Sequence, residues 1–467
     1  MNDDPMVLPT VLFWILGPLT AIAPIRWSVA LYLLLVQIDL SSLGNFSTTS
    51  LGVENAIKVV IIPTILLLRI RKQIHLNDQT RKIAVYWAAF VAYSCLTMAW
   101  SPYRTSAVKM AGYFYAYSVL FVVFTIAWQR NWLGSRTLMA IVWISLLGAV
   151  VQTFFYGNAF GSDVEFGVWR FTTFSGAQSF APFLLCILVL LLFGEKLSVL
   201  TFATSVAASA AILETGSRSI FLGLLWVLLV YGIFSATRSA QRVRLGMIFK
   251  RALWFAAAIV ILLTVVVQFL PENRLNEMMT AAVEKNATID DVGTFGWRFS
   301  LYQRAWDEVT HRNPVRMLLG SGTSSGADLV LEGGFFQEAN VDPNRAIHDE
   351  FLRAVYEWGI IGLCAFLLFL GSVLKFGITT LREHRSPQAW AFLAISVPLL
   401  ISLTVENFLA DSGSPGGVGY NLILTSLVAG YGLVPESSLQ SEAQMIPEAM
   451  SSPSGSLAIL PEGFEGN

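Results

Sequence analysis

Ser179-Phe-Ala-Pro-Phe-Leu-Leu-Cys-Ile-Leu-Val-Leu-Leu-Leu-Phe-Gly194 carries no charge until Glu195 and Lys196 end it. Such a segment has no polar face to turn toward water, and its length approaches the ~20 apolar residues with which a helix crosses roughly 30 Å of hydrocarbon. Similar blocks recur along the chain. Candidate spans run over 7–23, 25–40, 56–70, 83–100, 107–128, 137–156, 179–194, 197–213, 219–235, 252–270, 354–376, 389–409 and 419–434. The apolar runs are continuous and lack the alternation of a membrane barrel, so helices are expected. The fold class is therefore all-α, a polytopic transmembrane helix bundle of about 12 to 13 spans. The smaller count applies if residues 7–40 form one hairpin or a single tilted element.

Composition agrees: of 467 residues, 55% are apolar and 13% charged, with a mean hydropathy of +0.62. Soluble domains carry about 25% charged residues. The net charge of −1 and the lack of a basic tract exclude nucleic acid as a partner. Membrane lipids are the expected surroundings. Cys95, Cys186 and Cys364 each sit inside an apolar block without ligand-like spacing, and read as packing residues. The sequence opening Met1-Asn-Asp-Asp4 has no basic region or small-residue cleavage site, so the first block is expected to stay as a helix.

Cations set the orientation. Arg69, Arg71, Lys72, Arg81 and Lys82, and again Arg238, Arg242, Arg244, Lys250 and Arg251, mark cytoplasmic segments by the positive-inside rule. Alternation then puts Arg130, Arg136, Lys196, Arg382 and Arg385 on the same side. Segments 41–55, 101–106, 157–178, 214–218, 271–353 and 410–418 face outward. Segment 271–353 is one long extracytoplasmic loop, rich in Trp, Phe, Arg and Gly and expected to be partly helical. Residues 1–434 thus read as one transmembrane domain containing that loop. Residues 435–467, with five Glu, no Lys or Arg, and many Ser and Pro, read as a disordered cytoplasmic tail.

Ionisable side chains at membrane ends are costly, and four outward-facing ones stand out. Arg218, in Glu214-Thr-Gly-Ser-Arg-Ser219, adjoins a helix N-terminus whose free N–H groups suit an anion; the alternative is an arginine snorkelling to the interface. Arg298, in Gly293-Thr-Phe-Gly-Trp-Arg-Phe-Ser-Leu-Tyr-Gln-Arg-Ala-Trp306, shares helical spacing with Leu301, Tyr302, Ala305 and Trp306. That spacing predicts an amphipathic helix at the membrane surface, which could equally serve as a plain anchor.

His348 lies in Asn344-Arg-Ala-Ile-His-Asp-Glu-Phe-Leu-Arg-Ala-Val-Tyr-Glu-Trp-Gly359, an acid-led helix start. It can act as a general base near neutral pH, or merely bond backbone at a helix end. Glu357, nine residues on, falls on the opposite side of the helix and is placed to pair with Arg353 instead. Glu406, in Ser402-Leu-Thr-Val-Glu-Asn407, sits in apolar surroundings where a carboxylate needs a cationic partner. Gly320-Ser-Gly-Thr-Ser-Ser-Gly326 lacks the Gly-Lys-Ser/Thr ending of a phosphate loop, and no His-Glu-x-x-His or histidine pair occurs. ATP and metal are unsupported, and no cofactor is expected.

In combination, Ser217-Arg218, Gly296-Trp-Arg298, Gly320-x-Gly322, His348-Asp-x-x-Leu352 with Glu357-x-Gly359-x-x-Gly362, and Ser402-Leu-x-x-Glu406 resemble the O-antigen ligase and O-antigen polymerase superfamily. The resemblance covers roughly residues 160–410. It implies a GT-C-like membrane glycosyltransferase of the bacterial inner membrane, independent of metal and nucleotide, with its site on the extracytoplasmic face. The implied partners are a polyprenyl-diphosphate-linked glycan as donor and a glycan or lipid acceptor, such as lipid A core. The implied activity is ligation or polymerisation in cell-surface polysaccharide synthesis.

Carried over residue by residue, Arg218 and Arg298 bind and stabilise the departing diphosphate, while His348 takes the proton of the acceptor hydroxyl. Arg170, in Arg170-Phe-Thr-Thr-Phe174, joins Ser217, Arg345 and Glu406 as a candidate for substrate binding. Two departures are visible: Gln178-Ser179 stands where the family often has Pro-Asn, and Asp349 stands where Asn or Ser is frequent. A transporter or flippase for lipid-linked glycans is the alternative; it calls for charges along a central path and paired broken helices.

Overall fold

A computed structural model describes residues 7–38, 53–54, 56–74, 76, 78–156, 171–174, 177–194, 198–240, 294–332, 347, 349–384, 386–405 and 427–432. Helix is the only regular secondary structure among them. In chain order they form α1 (Val7–Ile22), α2 (Ile25–Leu35), a π-helical turn (Ala56–Ile61) running into α3 (Ile62–Ile70), α4 (Asp78–Thr97), α5 (Arg104–Gln129) and α6 (Ser135–Val151). Next come α7 (Ala177–Gly194), α8 (Val199–Glu214), α9 (Arg218–Ala240), α10 (Thr294–His311), α11 (Pro314–Leu319), α12 (Ala327–Glu332), α13 (Glu350–His384) and α14 (Pro387–Val405). Every predicted span within the described residues coincides with one of these helices. The predicted span 252–270 and most of 419–434 lie outside them.

Among the described residues, six helical segments are long and apolar enough to cross a membrane: 78–100, 104–129, 135–155, 219–237, 350–382 and 387–404. Four more are apolar but shorter: 8–22, 25–35, 179–194 and 199–214. α1 and α2 are separate helices that break at Pro24 and pack on each other, which favours the hairpin reading of residues 7–40. Arg69, read in sequence only as a cytoplasmic cation, donates through Nη1 to the Ala21 carbonyl at 3.0 Å and through Nη2 to the Ala23 carbonyl at 2.6 Å. It thereby occupies carbonyls that the end of α1 leaves without helical partners.

Two regions stand out in the large buried cluster of the described residues. One is α7, whose residues from Phe180 to Phe193 are almost all buried between α6, α8, α9 and α14. Close approach is built in at Gly223 of α9, where a Cβ would stand 3.0 Å from Pro398 of α14. The other is an aromatic group joining α4, α5 and α13: Phe90 meets Trp358 edge-on at 5.0 Å between ring centroids, and Trp87 meets Phe369 at 4.9 Å. Outward-facing apolar side chains such as Leu147 and Leu368 are exposed, as expected where lipid replaces water as the surrounding medium. Cys186 is buried and Cys95 partly so, but Cys364 is exposed, so the reading of all three as packing residues holds for two.

Helix α13 is too long for one span. Its 35 residues extend about 50 Å at 1.5 Å per residue, against ~30 Å of hydrocarbon. Gly359, at φ 64° and ψ −169°, divides it into a short stub from Glu350 and a longer apolar part. The stub carries the chemistry.

Candidate functional site

A break inside a buried helix frees carbonyls that must find donors. Here the glycine-rich stretch 320–326 supplies them: Ser321 N donates to the Tyr356 carbonyl at 3.0 Å, and Gly322 N donates to the Glu357 carbonyl at 2.9 Å. Contact is too close for side chains. A Cβ on Gly320 would lie 2.3 Å from the Glu357 carbonyl oxygen, one on Gly322 would lie 2.7 Å from Ser101 Cα, and one on Gly359 would lie 2.3 Å from the Leu318 oxygen. All three glycines also have φ between +64° and +100°, where a Cβ is strained. The loop is thus a plug in the bundle. Thr323 completes it, accepting from Trp358 Nε1 at 2.9 Å and donating to the Ser94 carbonyl at 2.7 Å.

The Glu357 carboxylate holds the plug from the helix side. It accepts from Ser324 N at 2.8 Å and Gly326 N at 3.3 Å, and pairs with Arg353 Nε at 3.1 Å. The pairing with Arg353, expected from spacing, is present. Arg353 Nη1 also lies 3.6 Å from Glu350, and the side chains of all three residues are fully buried. Sequence reasoning treated Glu350 only as a first-turn acid; its spacing of three from Arg353 was the available signal. A second buried pair, Glu54 with Lys58, was missed because Lys58 lies within an otherwise apolar run.

The structure describes the surroundings of several predicted site positions. Ser217 stands just ahead of α9, its carbonyl accepting from Phe221 N at 2.9 Å, so Arg218 is the first residue of that helix, as predicted. Gly216, at φ 66°, makes the turn. Phe171 N donates to the Glu214 carbonyl at 3.1 Å, which ties the residue after Arg170 to the turn before Arg218. The side chain of Arg218 lies outside what is described, as does Arg170 altogether.

Arg298 lies in α10, the predicted amphipathic helix, one turn before Tyr302; its side chain also lies outside the described residues. Leu301, Ala305 and Val309 of this helix are buried against Ile347 and Tyr356, while Trp306 on its other side is 58% exposed. Tyr302 Oη approaches the Thr404 carbonyl at 3.5 Å, two residues short of Glu406. Arg345, His348 and Glu406 themselves lie outside the described residues. His348 is nonetheless bracketed: Ile347 is fully buried in the cluster with Leu301, and Asp349 caps α13.

Asp349 Oδ1 accepts from Phe351 N at 2.9 Å and Leu352 N at 2.8 Å. Burial raises its carboxyl above the usual range, and those two N–H bonds work against the rise. It borders a cleft of about 430 Å3 between α10 and α13, lined also by Tyr302, Trp306, Phe351, Leu352, Val355 and Leu363.

Fold and site together describe a multi-pass membrane protein, helical among the described residues, with a plugged, broken helix beside an amphipathic one. The family model described as O-Antigen ligase matches residues 203–367. Over that segment the resemblance to the O-antigen ligase and polymerase superfamily is borne out. The match includes Ser217, Arg218, Arg298, Arg345 and His348, and leaves out Arg170 and Glu406. No curated protein matches the chain.

Proposed function

We propose that this protein is a metal-independent glycosyltransferase of the bacterial inner membrane that moves a glycan from a polyprenyl diphosphate to an acceptor hydroxyl on the extracytoplasmic face. The observation that carries the reading is the O-antigen ligase match over 203–367, the stretch that holds both arginines and the histidine. Packing of Leu301 against Ile347 supports it, because the neighbours of Arg298 and His348 share one buried cluster. In this reading the bundle has 12 to 13 spans and a GT-C-like architecture.

The chemistry follows from the residue types. Arg218 at a helix start and Arg298 bind the two phosphates in forked, charge-assisted bonds and stabilise the negative charge that grows as the diphosphate leaves. His348 accepts the proton of the attacking hydroxyl. The oxygen forms a bond to the anomeric carbon as the bond to diphosphate breaks, so the configuration inverts. Ser217, Arg170, Arg345 and Glu406 contact substrate.

Purified protein given a polyprenyl-diphosphate glycan and an acceptor, with no metal or nucleotide, should yield products. A ladder identifies a polymerase and a single addition a ligase. Arg218→Ala, Arg298→Ala and His348→Ala should each lower turnover at least about a hundredfold at normal expression. Full glycan output from all three variants would sink the assignment.

A further inference from the structure

The cleft between α10 and α13 is mostly apolar, yet one end of it is unlike the rest. Asp349 spends only Oδ1 on the helix cap; neither cap bond uses its second carboxylate oxygen. Across the cleft stand Tyr302 and Trp306, the latter with an indole N–H that bonds to nothing among the described residues. A hydrogen-bond acceptor facing a broad, half-exposed aromatic surface has a specific use. It accepts a hydroxyl while the ring offers an apolar face, as a sugar requires, since a sugar has both hydroxyls and C–H faces. The volume of about 430 Å3 falls within the range of small-ligand sites.

Charge restricts the occupant. A carboxylate repels a diphosphate, so the polar end of this cleft suits the neutral sugar and not the carrier's headgroup. Asp349 is also where this sequence departs from the Asn or Ser frequent in the family. We infer that Asp349, Tyr302 and Trp306 form a sugar subsite, in which a pyranose hydroxyl donates to the free oxygen of Asp349 and the ring lies on Trp306. The subsite rests on the glycosyltransferase reading and adds a binding position next to the proposed base, His348. The sugar belongs either to the donor glycan or to the acceptor, and kinetics separate the two.

The binding test does not depend on turnover. Full-length protein carrying 5-fluorotryptophan is reconstituted in lipid nanodiscs, and a Trp306→Phe sample assigns the Trp306 fluorine signal. The probe is the host's own lipid-linked glycan, extracted and split by mild acid to release the free glycan. That glycan should shift the Trp306 signal in the parent protein and fail to do so in Asp349→Ser, which keeps a capping oxygen but lacks the second one. A signal unmoved by the released glycan overturns the subsite, whatever sugar-free undecaprenyl diphosphate does to it. In the transfer assay, Asp349→Ser should raise one KM about tenfold with kcat changed less than about threefold. The donor or acceptor KM that moves names the source of the sugar. Unchanged KM values with a fallen kcat would overturn the proposal. A parent protein that binds glycan without transferring it would defeat the enzyme assignment while leaving the subsite intact.

Discussion

Helix α7 and the stub of α13 are both buried, by opposite means. From Phe180 to Phe193, α7 is aliphatic and aromatic all round, and its neighbours meet it with more of the same. The stub buries Glu350, Arg353 and Glu357 within eight residues, and stays buried because each charge has a partner and the freed carbonyls are met by the 320–326 loop. In α7, many small contacts share the work and no single one is decisive. In the stub, a few bonds hold a break, a plug and the start of the helix after His348 together. Removing one partner there leaves an uncompensated charge or carbonyl, and that cost is much larger than a lost contact.

The contrast can be broken most directly at Glu357. Glu357→Ala deprives Arg353 of its nearer partner and two loop N–H groups of their acceptor, and should cost about 3–5 kcal/mol, read as lost thermal stability in detergent. Glu357→Gln, which keeps one acceptor oxygen and so one of the two N–H bonds, should recover part of the loss. Gly359→Ala comes next, with an expected loss of about 2–3 kcal/mol, because φ 64° and the Leu318 oxygen both oppose a methyl group. Protease digestion should then cut near residues 320–326, whereas cutting elsewhere first would contradict the plug.

Leu188→Ala in the middle of α7 should cost about 2 kcal/mol. That is less than the same change in a soluble core, since lipid is as apolar as leucine and only packing is lost. A loss larger than that of Glu357→Ala would reverse the comparison. Smallest is Arg69→Ala at the end of α1, about 1 kcal/mol from its bonds to carbonyl oxygens, visible as a lower unfolding midpoint without change in glycan transfer.

Legibility followed the same division. The helix positions were readable because an apolar block needs no partner in particular to be stable in lipid, and each predicted span within the described residues is a helix. The amphipathic character of α10 was readable from the spacing of Leu301, Tyr302 and Ala305, and the Arg353–Glu357 pair from a spacing of four. The stretch 320–326 was not. Its ending excluded a nucleotide loop, but nothing local reveals that its glycines abut Glu357, Gly359 and Ser101, residues distant in sequence. The Glu54–Lys58 pair and the use of Arg69 were hidden for the same reason, since a charge in an apolar run does not announce its partner.

The amino-acid sequence by itself determined that this chain is a helical membrane protein, which residues are candidates for diphosphate and proton chemistry, and which superfamily it resembles. Those properties follow from hydropathy, local periodicity and short motifs. Only the tertiary structure decided that α13 breaks at Gly359, that a loop from elsewhere fills the break, and that Asp349 and Trp306 line one cleft. Each of these depends on backbone groups and side chains meeting across long chain separations, where the cost of an unpaired buried polar group selects the partner.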